Sequence, residues 1–224
     1  MATFGWVEPE DFFVTHLADR DRAFWLDGAG SRPWSGQLSY IGWLEPADLS
    51  LTFHAASRSV TAHQRGQQRR AGVDIFAELR QQAAADRAAG DPGRWVGFFG
   101  YASRSNLAAQ VDPDPEAVDA CWLRAMRIVE FDHDRQVVRA VAAPGMLRSW
   151  AAQVGEMVES TGPAGPPVIA DRAEVVATCD APEFAAAFAR VQAELRLGNS
   201  YETNLTFQTR VTSDTEPLDA YRRL

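Results

Sequence analysis

Residues 180–211 carry the local signals that most constrain the fold of this chain. Asp180 and Glu183 have the spacing of a capping box, in which each side chain accepts a hydrogen bond from the other residue's backbone at a helix start. One helical face then carries apolar side chains at positions i, i+4, i+7 and i+11: Phe184, Phe188, Val191 and Leu195. Gly198 follows, where a left-handed residue commonly ends a helix. The segment predicts a helix that starts after Asp180 and stops at Gly198.

A strand is predicted directly after this helix, in the sequence GNSYETNLTFQTRV. Polar side chains share one face of it: Glu202, Asn204, Thr206, Gln208 and Arg210. Apolar side chains share the other face: Tyr201, Leu205, Phe207 and Val211. A polar face in water gives this pattern, and so does a polar face that lines a cavity for a small polar molecule. The periodicity leaves both interpretations open.

The rest of the chain alternates strand and helix signals. Residues 11–60 and 93–143 show strand patterns and turns, and the latter range includes two strands joined by a turn at residues 132–134. Residues 73–89 and 147–159 have helix-forming composition, and the stretch STGPAGPPV indicates a linker. We expect an N-terminal region, a linker and the beginning of a second region, at residues 1–160, 161–170 and 171–224. These patterns alone predict a mixed α and β fold.

The charge balance excludes several classes of partner. The chain has 22 basic and 30 acidic residues and a net charge of −8, so no basic excess is present to neutralise phosphates. We therefore expect no nucleic-acid partner and no anionic-membrane surface. The densest basic run, RGQQRR at residues 65–70, has no stacking aromatics and is interpreted as a solvated loop or helix face.

Every basic residue is arginine, and the sequence contains no lysine. A P-loop, a Schiff-base lysine and a lysine nucleophile are therefore excluded within these residues. Cys121 and Cys179 form no disulfide framework, and the four histidines show no metal-ligand spacing with them. The sequence has no basic leader and no apolar run of about 18 residues. We expect a cytoplasmic, soluble protein without a membrane partner.

Four segments resemble those of a known family, in the same order along the chain. They are AFWLDGAG with SGQLSYIGWLEP, then GRWVGFFGYAS, GNSYETNLTFQTRV and EPLDAYRRL. They resemble the chorismate-utilising enzymes, a family that includes anthranilate synthase component I and aminodeoxychorismate synthase component I (para-aminobenzoate synthase component I). Asn204 favours the aminodeoxychorismate branch, because the anthranilate enzymes carry valine at that position. The resemblance covers the N-terminal half of such enzymes.

The resemblance implies an α+β fold, anthranilate synthase component I-like, in which antiparallel sheets pack face to face with helices outside. It implies a transferase family that aminates chorismate to 4-amino-4-deoxychorismate for 4-aminobenzoate and folate synthesis. Ammonia comes from a glutaminase (amidotransferase) subunit or domain, and Mg²⁺ is the cofactor. The lysine nucleophile and the Mg²⁺ ligands belong to the family's C-terminal half. We therefore expect no catalytic residue and no metal ligand here, and no turnover by the isolated chain.

Two sets of binding residues follow from the resemblance. The substrate-pocket set lies on the predicted strand: Tyr201, Glu202, Asn204 and Thr206. The set that matches the family's tryptophan effector site lies near the N-terminus: Leu26, Asp27, Gly28, Ser39 and Tyr40. Gly28 stands where the family has serine, and Asp27 where it has glutamate. A purely structural role stays open for the first set, and ordinary aromatic core packing for the tryptophans around the second.

Three other functional interpretations stay open. The first is a fragment of an anthranilate synthase component I, against which Asn204 speaks. The second is a non-catalytic regulatory or scaffolding module that binds an aromatic amino acid or the glutaminase, and tight tryptophan binding by the isolated chain would favour it. The third is a non-functional remnant, which would expose Leu205, Phe207 and Tyr221 and be poorly soluble in isolation.

Overall fold

A computed structural model describes residues 2–28, 37–90, 94–104, 118–143 and 145–224. They form two compact units, Met1–Ala164 and Gly165–Leu224. The first unit contains two five-stranded sheets, and the second contains a two-stranded sheet. Neighbouring strands in all three sheets are antiparallel. The boundary between the units lies inside the stretch interpreted as a linker.

The first sheet joins strands from both ends of the N-terminal unit. Its spatial order is β1 (Ala2–Phe4), β10 (Val137–Ala142), β9 (Arg127–Asp132), β3 (Leu38–Trp43) and β2 (Ala23–Leu26). Two helices pack on one face of it: α1 (Pro9–His16) and α3 (Leu147–Ser160). Trp43 and Trp150 meet there at a ring distance of 4.8 Å, and Phe12 and Phe131 at 5.4 Å. All four are buried, so this face holds the largest apolar core.

The second sheet packs against one helix. Its spatial order is β6 (Gln67–Gly72), β5 (Ser59–Gln64), β4 (Ser50–His54), β8 (Ala120–Ala125) and β7 (Arg94–Phe99). Helix α2 (Ile75–Ala88) contributes Ile75 to a buried cluster with Leu51 and Val60. A short 3-10 helix, Tyr101–Ser103, follows β7.

A third apolar cluster joins the two sheets. Phe24 and Ile128 come from the first sheet, and Leu123 and Ala125 come from the second. All are buried, and they lie on the faces away from the helices because neighbouring residues of a strand alternate. The two sheets therefore pack face to face with their helices outside, as the resemblance predicts.

The C-terminal unit consists of β11 (Ala173–Ala177), α4 (Ala181–Arg196), β12 (Thr209–Ser213) and α5 (Pro217–Arg223). Helix α4 begins with the predicted capping box: Asp180 Oδ1 accepts from the Glu183 backbone at 2.8 Å, and Glu183 Oε2 from the Asp180 backbone at 3.0 Å. Gly198 follows the helix with a φ of 77°. The predicted helix and its glycine stop are confirmed. None of residues 165–224, all of which the structure describes, is buried.

Four local predictions are wrong. Residues 11–16, which lie in a range expected to form strands and turns, belong to helix α1. The strand expected over residues 201–211 forms only at Thr209–Ser213, because its ladder partner in the described chain, β11, is itself only five residues long. The run RGQQRR is solvated, as predicted, but it forms a turn and the edge strand β6 and not a loop or helix face, since residues 67–72 pair with β5. The segment expected as the first of two strands is divided into β8 and β9, which belong to different sheets.

Candidate functional site

The predicted effector residues lie on β2 and β3 or directly after β2. Leu26 and Tyr40 are register partners on these two strands. Both line a cavity of about 370 Å³ between the two large sheets. The other residues that line it are Arg94, Trp95, Val96, Ile128, Glu130 and Val141. Four strands of the first sheet and β7 of the second therefore form its walls.

This inter-sheet cavity combines apolar walls with charges of both signs. The Glu130 carboxylate accepts a hydrogen bond from Arg139 at 2.7 Å, and Arg94 is exposed. Burial raises the pKa of the Tyr40 phenol, the Glu130 charge raises it further, and the Arg94 charge lowers it. Tyr40 therefore stays a neutral hydrogen-bond donor near neutral pH. A small molecule with an aromatic body and groups of opposite charge matches the size and polarity of this cavity.

The other three predicted effector residues meet at Ser39, whose side chain leaves β3 on the face away from this cavity. Ser39 is fully buried. Its Oγ lies 3.0 Å from the Gly28 backbone N, 3.1 Å from Asp27 Oδ1 and 2.8 Å from His133 Nε2. A hydroxyl has one proton, so these contacts are all satisfied when Gly28 and His133 donate to it and it donates to Asp27. The predicted effector set is thus divided between the cavity and a separate polar cluster.

The sequence patterns do not identify three residues of the inter-sheet cavity and the Ser39 cluster: Arg94, Glu130 and His133. Glu130 lies beside Tyr40 because β3 pairs with β9, and the same pairing brings His133 to Ser39. The signal that would reveal them is this strand pairing, which the period of a strand does not specify. The turn predicted at residues 132–134 is the one local feature near His133.

The predicted substrate-pocket residues lie in the irregular segment between α4 and β12: Tyr201, Glu202, Asn204 and Thr206. All four are exposed, and Tyr201 keeps 97% of its surface accessible. The Ser200 hydroxyl donates to the Glu202 carbonyl at 2.7 Å near the start of the segment. Phe207 contacts Phe184 edge to face near its end. The polar groups are therefore accessible to a ligand or to another polypeptide segment, and their role stays a prediction.

Comparison with known proteins identifies the family. A family profile described as chorismate binding enzyme matches residues 23–224. The chain belongs to the chorismate binding enzyme family. The resemblance that the sequence motifs indicate is thereby confirmed.

Two relatives of this chorismate binding enzyme chain are longer than it is. An aminodeoxychorismate synthase from Streptomyces pristinaespiralis is 25% identical over 235 aligned residues, which cover 95% of this chain and 32% of the relative. The crystal structure of anthranilate synthase component I from Streptococcus pneumoniae TIGR4 matches with a TM-score of 0.55 and 15% identity, over 97% of this chain and 50% of that one. The second match concerns the fold alone, and it confirms the predicted anthranilate synthase component I-like α+β architecture.

The part of this family member that the structure describes contains neither a metal-binding cluster nor a membrane-spanning helix. It contains no group of three or more His, Cys, Asp or Glu residues that could hold a metal ion. The Mg²⁺ that the resemblance implies, with its ligands outside this chain, stays a prediction for the complete enzyme. Among the same described residues, no helix is long and apolar enough to cross a membrane.

Proposed function

We propose that this chain is the N-terminal part of an aminodeoxychorismate synthase component I. The complete enzyme replaces the C4 hydroxyl of chorismate with an amino group, and its product, 4-amino-4-deoxychorismate, feeds 4-aminobenzoate and folate synthesis. The observation that carries the proposal is the alignment of 95% of this chain with an aminodeoxychorismate synthase. Asn204, where the anthranilate enzymes have valine, supports this branch.

Within that enzyme the chain contributes a scaffold and one wall of the substrate pocket. The exposed Asn204 amide and Thr206 hydroxyl offer directional hydrogen bonds to the carboxylates and hydroxyl of chorismate, beside Tyr201 and Glu202. The chain has no lysine, so a lysine nucleophile comes from residues outside it. The Mg²⁺ ligands and the glutaminase that delivers ammonia also belong to other parts of the enzyme.

The test uses the native protein, captured from its source cells with an antibody against this chain. Its mass shows whether these residues belong to a longer polypeptide. The captured protein receives chorismate, ammonia and Mg²⁺, and the product is identified by mass spectrometry. We expect 4-amino-4-deoxychorismate. Anthranilate as the product would assign the chain to the other branch, and a captured protein without turnover would favour a non-catalytic module.

Two comparisons make this test specific. The recombinant 224-residue chain, given the same reagents, should show no turnover above background. In the native enzyme, Asn204→Val should lower kcat/KM about tenfold through the loss of one substrate hydrogen bond. Thr203→Val is the matched control, because it changes an exposed neighbour outside the predicted pocket set.

A second candidate function is the binding of an aromatic amino acid by the N-terminal unit. The inter-sheet cavity favours it, because Arg94 can pair with a ligand carboxylate and Glu130 with a ligand ammonium group. Calorimetric titration with tryptophan tests this candidate. A dissociation constant of about 10 µM that Arg94→Gln weakens and Arg135→Gln leaves unchanged would support it. Arg135 is a fair control because its side chain is exposed outside this cavity.

A further inference from the structure

A second cavity lies apart from both predicted binding sets. Its volume is about 900 Å³. It lies between the segment that follows α1 and the face of the second sheet that α2 does not cover. The residues that matter for its chemistry are Arg22, Ser50, Thr52, His63, Gln68 and Cys121. The cavity is large enough for a small organic molecule.

The sheet wall of this cavity carries uncharged hydrogen-bonding groups in two adjacent rows. In one row Ser50 pairs with His63, and His63 with Gln68. In the next row Thr52 pairs with Cys121. Thr52 Oγ1 lies 2.8 Å from His63 Nε2, which links the rows. Hydroxyl, amide and imidazole groups on neighbouring strands match the hydroxyls of a polyol or a hydroxy acid.

Arg22 adds a positive charge to this cavity. Its guanidinium donates to the backbone carbonyls of Glu45 and Asp48, at 2.6 and 3.0 Å, and to Ser50 Oγ at 3.4 Å. All three acceptors are uncharged, and none of the ion pairs within the described chain includes Arg22. The charge is therefore held in position, and among the described residues it has no carboxylate partner. A fixed guanidinium of this kind is suited to a ligand carboxylate.

His63 is close enough to sense the Arg22 charge. Burial lowers the pKa of His63, and the charges of Arg22 and His54 lower it further. An anion bound beside Arg22 would oppose that Coulomb effect and raise the pKa of His63. His63 is thus an internal reporter of anion binding.

Acidic residues limit the charge that a ligand can carry here. Asp19 and Asp21 also line the cavity and are exposed, and so is Arg20, the second lining cation, which lies 3.9 Å from Glu45 Oε1. The Glu45 carboxylate, by contrast, accepts a hydrogen bond from Trp43 Nε1 at 2.9 Å. Exposed carboxylates repel a polyanion more strongly than a monoanion. A ligand with a single carboxylate and several hydroxyls therefore fits this charge distribution better than a phosphorylated one.

We propose that this cavity binds a small hydroxylated monocarboxylate, with its carboxylate on Arg22 and its hydroxyls on the rows that contain Ser50, Thr52, His63 and Gln68. The charge-assisted pair with Arg22 orients the ligand, and the rows select for hydroxyl groups. The site shares no residue with the predicted substrate pocket or the inter-sheet cavity, so it does not depend on the proposed function.

D-gluconate is the probe, with D-glucose as its uncharged analogue and acetate as an anion without hydroxyls. NMR follows the carbon-bound imidazole protons of the full chain during each titration, and His63→Gln assigns the His63 signal. We expect saturable gluconate binding with a dissociation constant on the order of 1 mM. Binding of either analogue should be about tenfold weaker. Saturation should raise the pKa of His63 and leave the imidazole signals of His133, which contacts Ser39 outside the cavity, unchanged.

Three variants locate the ligand. Arg22→Gln should weaken gluconate binding about tenfold through loss of the charged pair. Because Arg22 also holds the carbonyls of Glu45 and Asp48, the nearly isosteric Thr52→Val tests the hydroxyl rows without altering that tether, with an expected weakening of about fivefold. Arg69→Gln is the matched control, since Arg69 pairs with the buried Ala62 and so lies on the other face of β6. Tryptophan emission verifies that each variant is folded.

Alkylation of the cysteines gives an independent measurement. Cys121 lines the cavity, and Cys179 in the C-terminal unit is the internal reference. Slower modification of Cys121 alone in the presence of gluconate would support the site. Three results would overturn the proposal: an unchanged His63 signal at about 50 mM gluconate, equal binding of glucose or acetate, or variants of Arg22 and Thr52 that bind as tightly as Arg69→Gln.

Discussion

The two units of this protein both form regular helices and strands, but they differ in what holds those elements in place. In the N-terminal unit, Phe131, Trp150 and Val154 belong to a buried core, and two further clusters support the second sheet and the contact between the sheets. In the C-terminal unit, the paired Val175 and Val211 keep 64% and 60% of their surface exposed. Local capping and glycine signals therefore suffice to define α4, whereas a core requires segments that are far apart in sequence.

Removal of a large core side chain should cause the largest difference in stability between the two units. Trp150→Ala should lower the free energy of unfolding of the N-terminal unit by about 3–5 kcal/mol, because it leaves a cavity in the core. It also removes the hydrogen bond from Trp150 Nε1 to the Ile128 carbonyl. All seven tryptophans precede residue 165, so tryptophan emission during urea unfolding reports this unit. Phe184→Ala on α4 should leave that transition unchanged, and equal losses for the two variants would contradict the difference between the units.

A smaller loss is expected where the backbones of β7 and β8 approach each other. A Cβ at Gly97 would lie 2.0 Å from the Cys121 carbonyl oxygen, so Gly97→Ala forces the two strands apart. The same emission measurement should show a loss of about 1–3 kcal/mol. Gly5→Ala is the control, since nothing lies within 4 Å of a Cβ at that position. Similar unfolding midpoints for the two variants would show that the strands separate at little cost.

The elements that could be predicted from the sequence are those whose ends are set locally. Helix α2 begins after Asp74, whose Oδ1 accepts from the Phe76 backbone at 2.9 Å, and Gly90 follows it with a φ of 74°. The order of the strands within the sheets could not be predicted. Strand β3 pairs with β9, although all five strands of the second sheet lie between them in sequence. Periodicity indicates which face of a strand is buried but not which strand is its partner.

The residues of the candidate sites also divide into those that local sequence places together and those that only the packing of distant segments brings together. Leu26 and Tyr40 could be placed together from motifs, because they lie on strands that are consecutive in sequence and paired. Arg94 could not, since β7 reaches the cavity only through the packing of the two sheets. Residues 201–208 have the alternation of a strand, but in the described chain they form no ladder. A segment with the periodicity of a strand thus forms a strand only where another strand pairs with it.

Removal of a helix cap should affect the two units differently, and where the helix packs on a core the expected loss in free energy of unfolding is about 1 kcal/mol. Asp74→Ala should lower the free energy of unfolding of the N-terminal unit by this amount, because the Asp74 carboxylate caps a helix that packs on the core. Asp180→Ala should leave the tryptophan transition unchanged and speed the exchange of α4 backbone amides, since that helix has no buried residue. Hydrogen exchange followed by NMR measures the second effect. Asp214→Ala, outside both caps, is the control, and unchanged α4 exchange in Asp180→Ala would contradict a cap-dependent helix.

The smallest predicted difference is a pH dependence confined to the N-terminal unit, which holds all four histidines. Burial lowers the pKa of His16 from its ordinary 6.5; the hydrogen bond to the Met157 carbonyl opposes this shift, and the Arg20 charge adds to it. The folded unit therefore binds fewer protons than the unfolded chain just below pH 6.5. Its free energy of unfolding should be fully maintained above that pH and should decline as the pH falls below it. The pKa of His63 shifts in the same direction, so its contribution has the same sign.

Urea unfolding followed by tryptophan emission between about pH 8 and pH 5 should show this decline. His16→Gln should reduce the slope without abolishing it, because His63 still titrates. Exchange of the α4 amides, corrected for the intrinsic effect of pH, should show no step in the same range, since the C-terminal unit has no histidine. A stability that instead decreased as the pH rose through 6.5 would mean that the folded unit stabilises the imidazolium form. That result would require an anionic partner for His16 or His63, which for His63 is what a ligand carboxylate on Arg22 would supply.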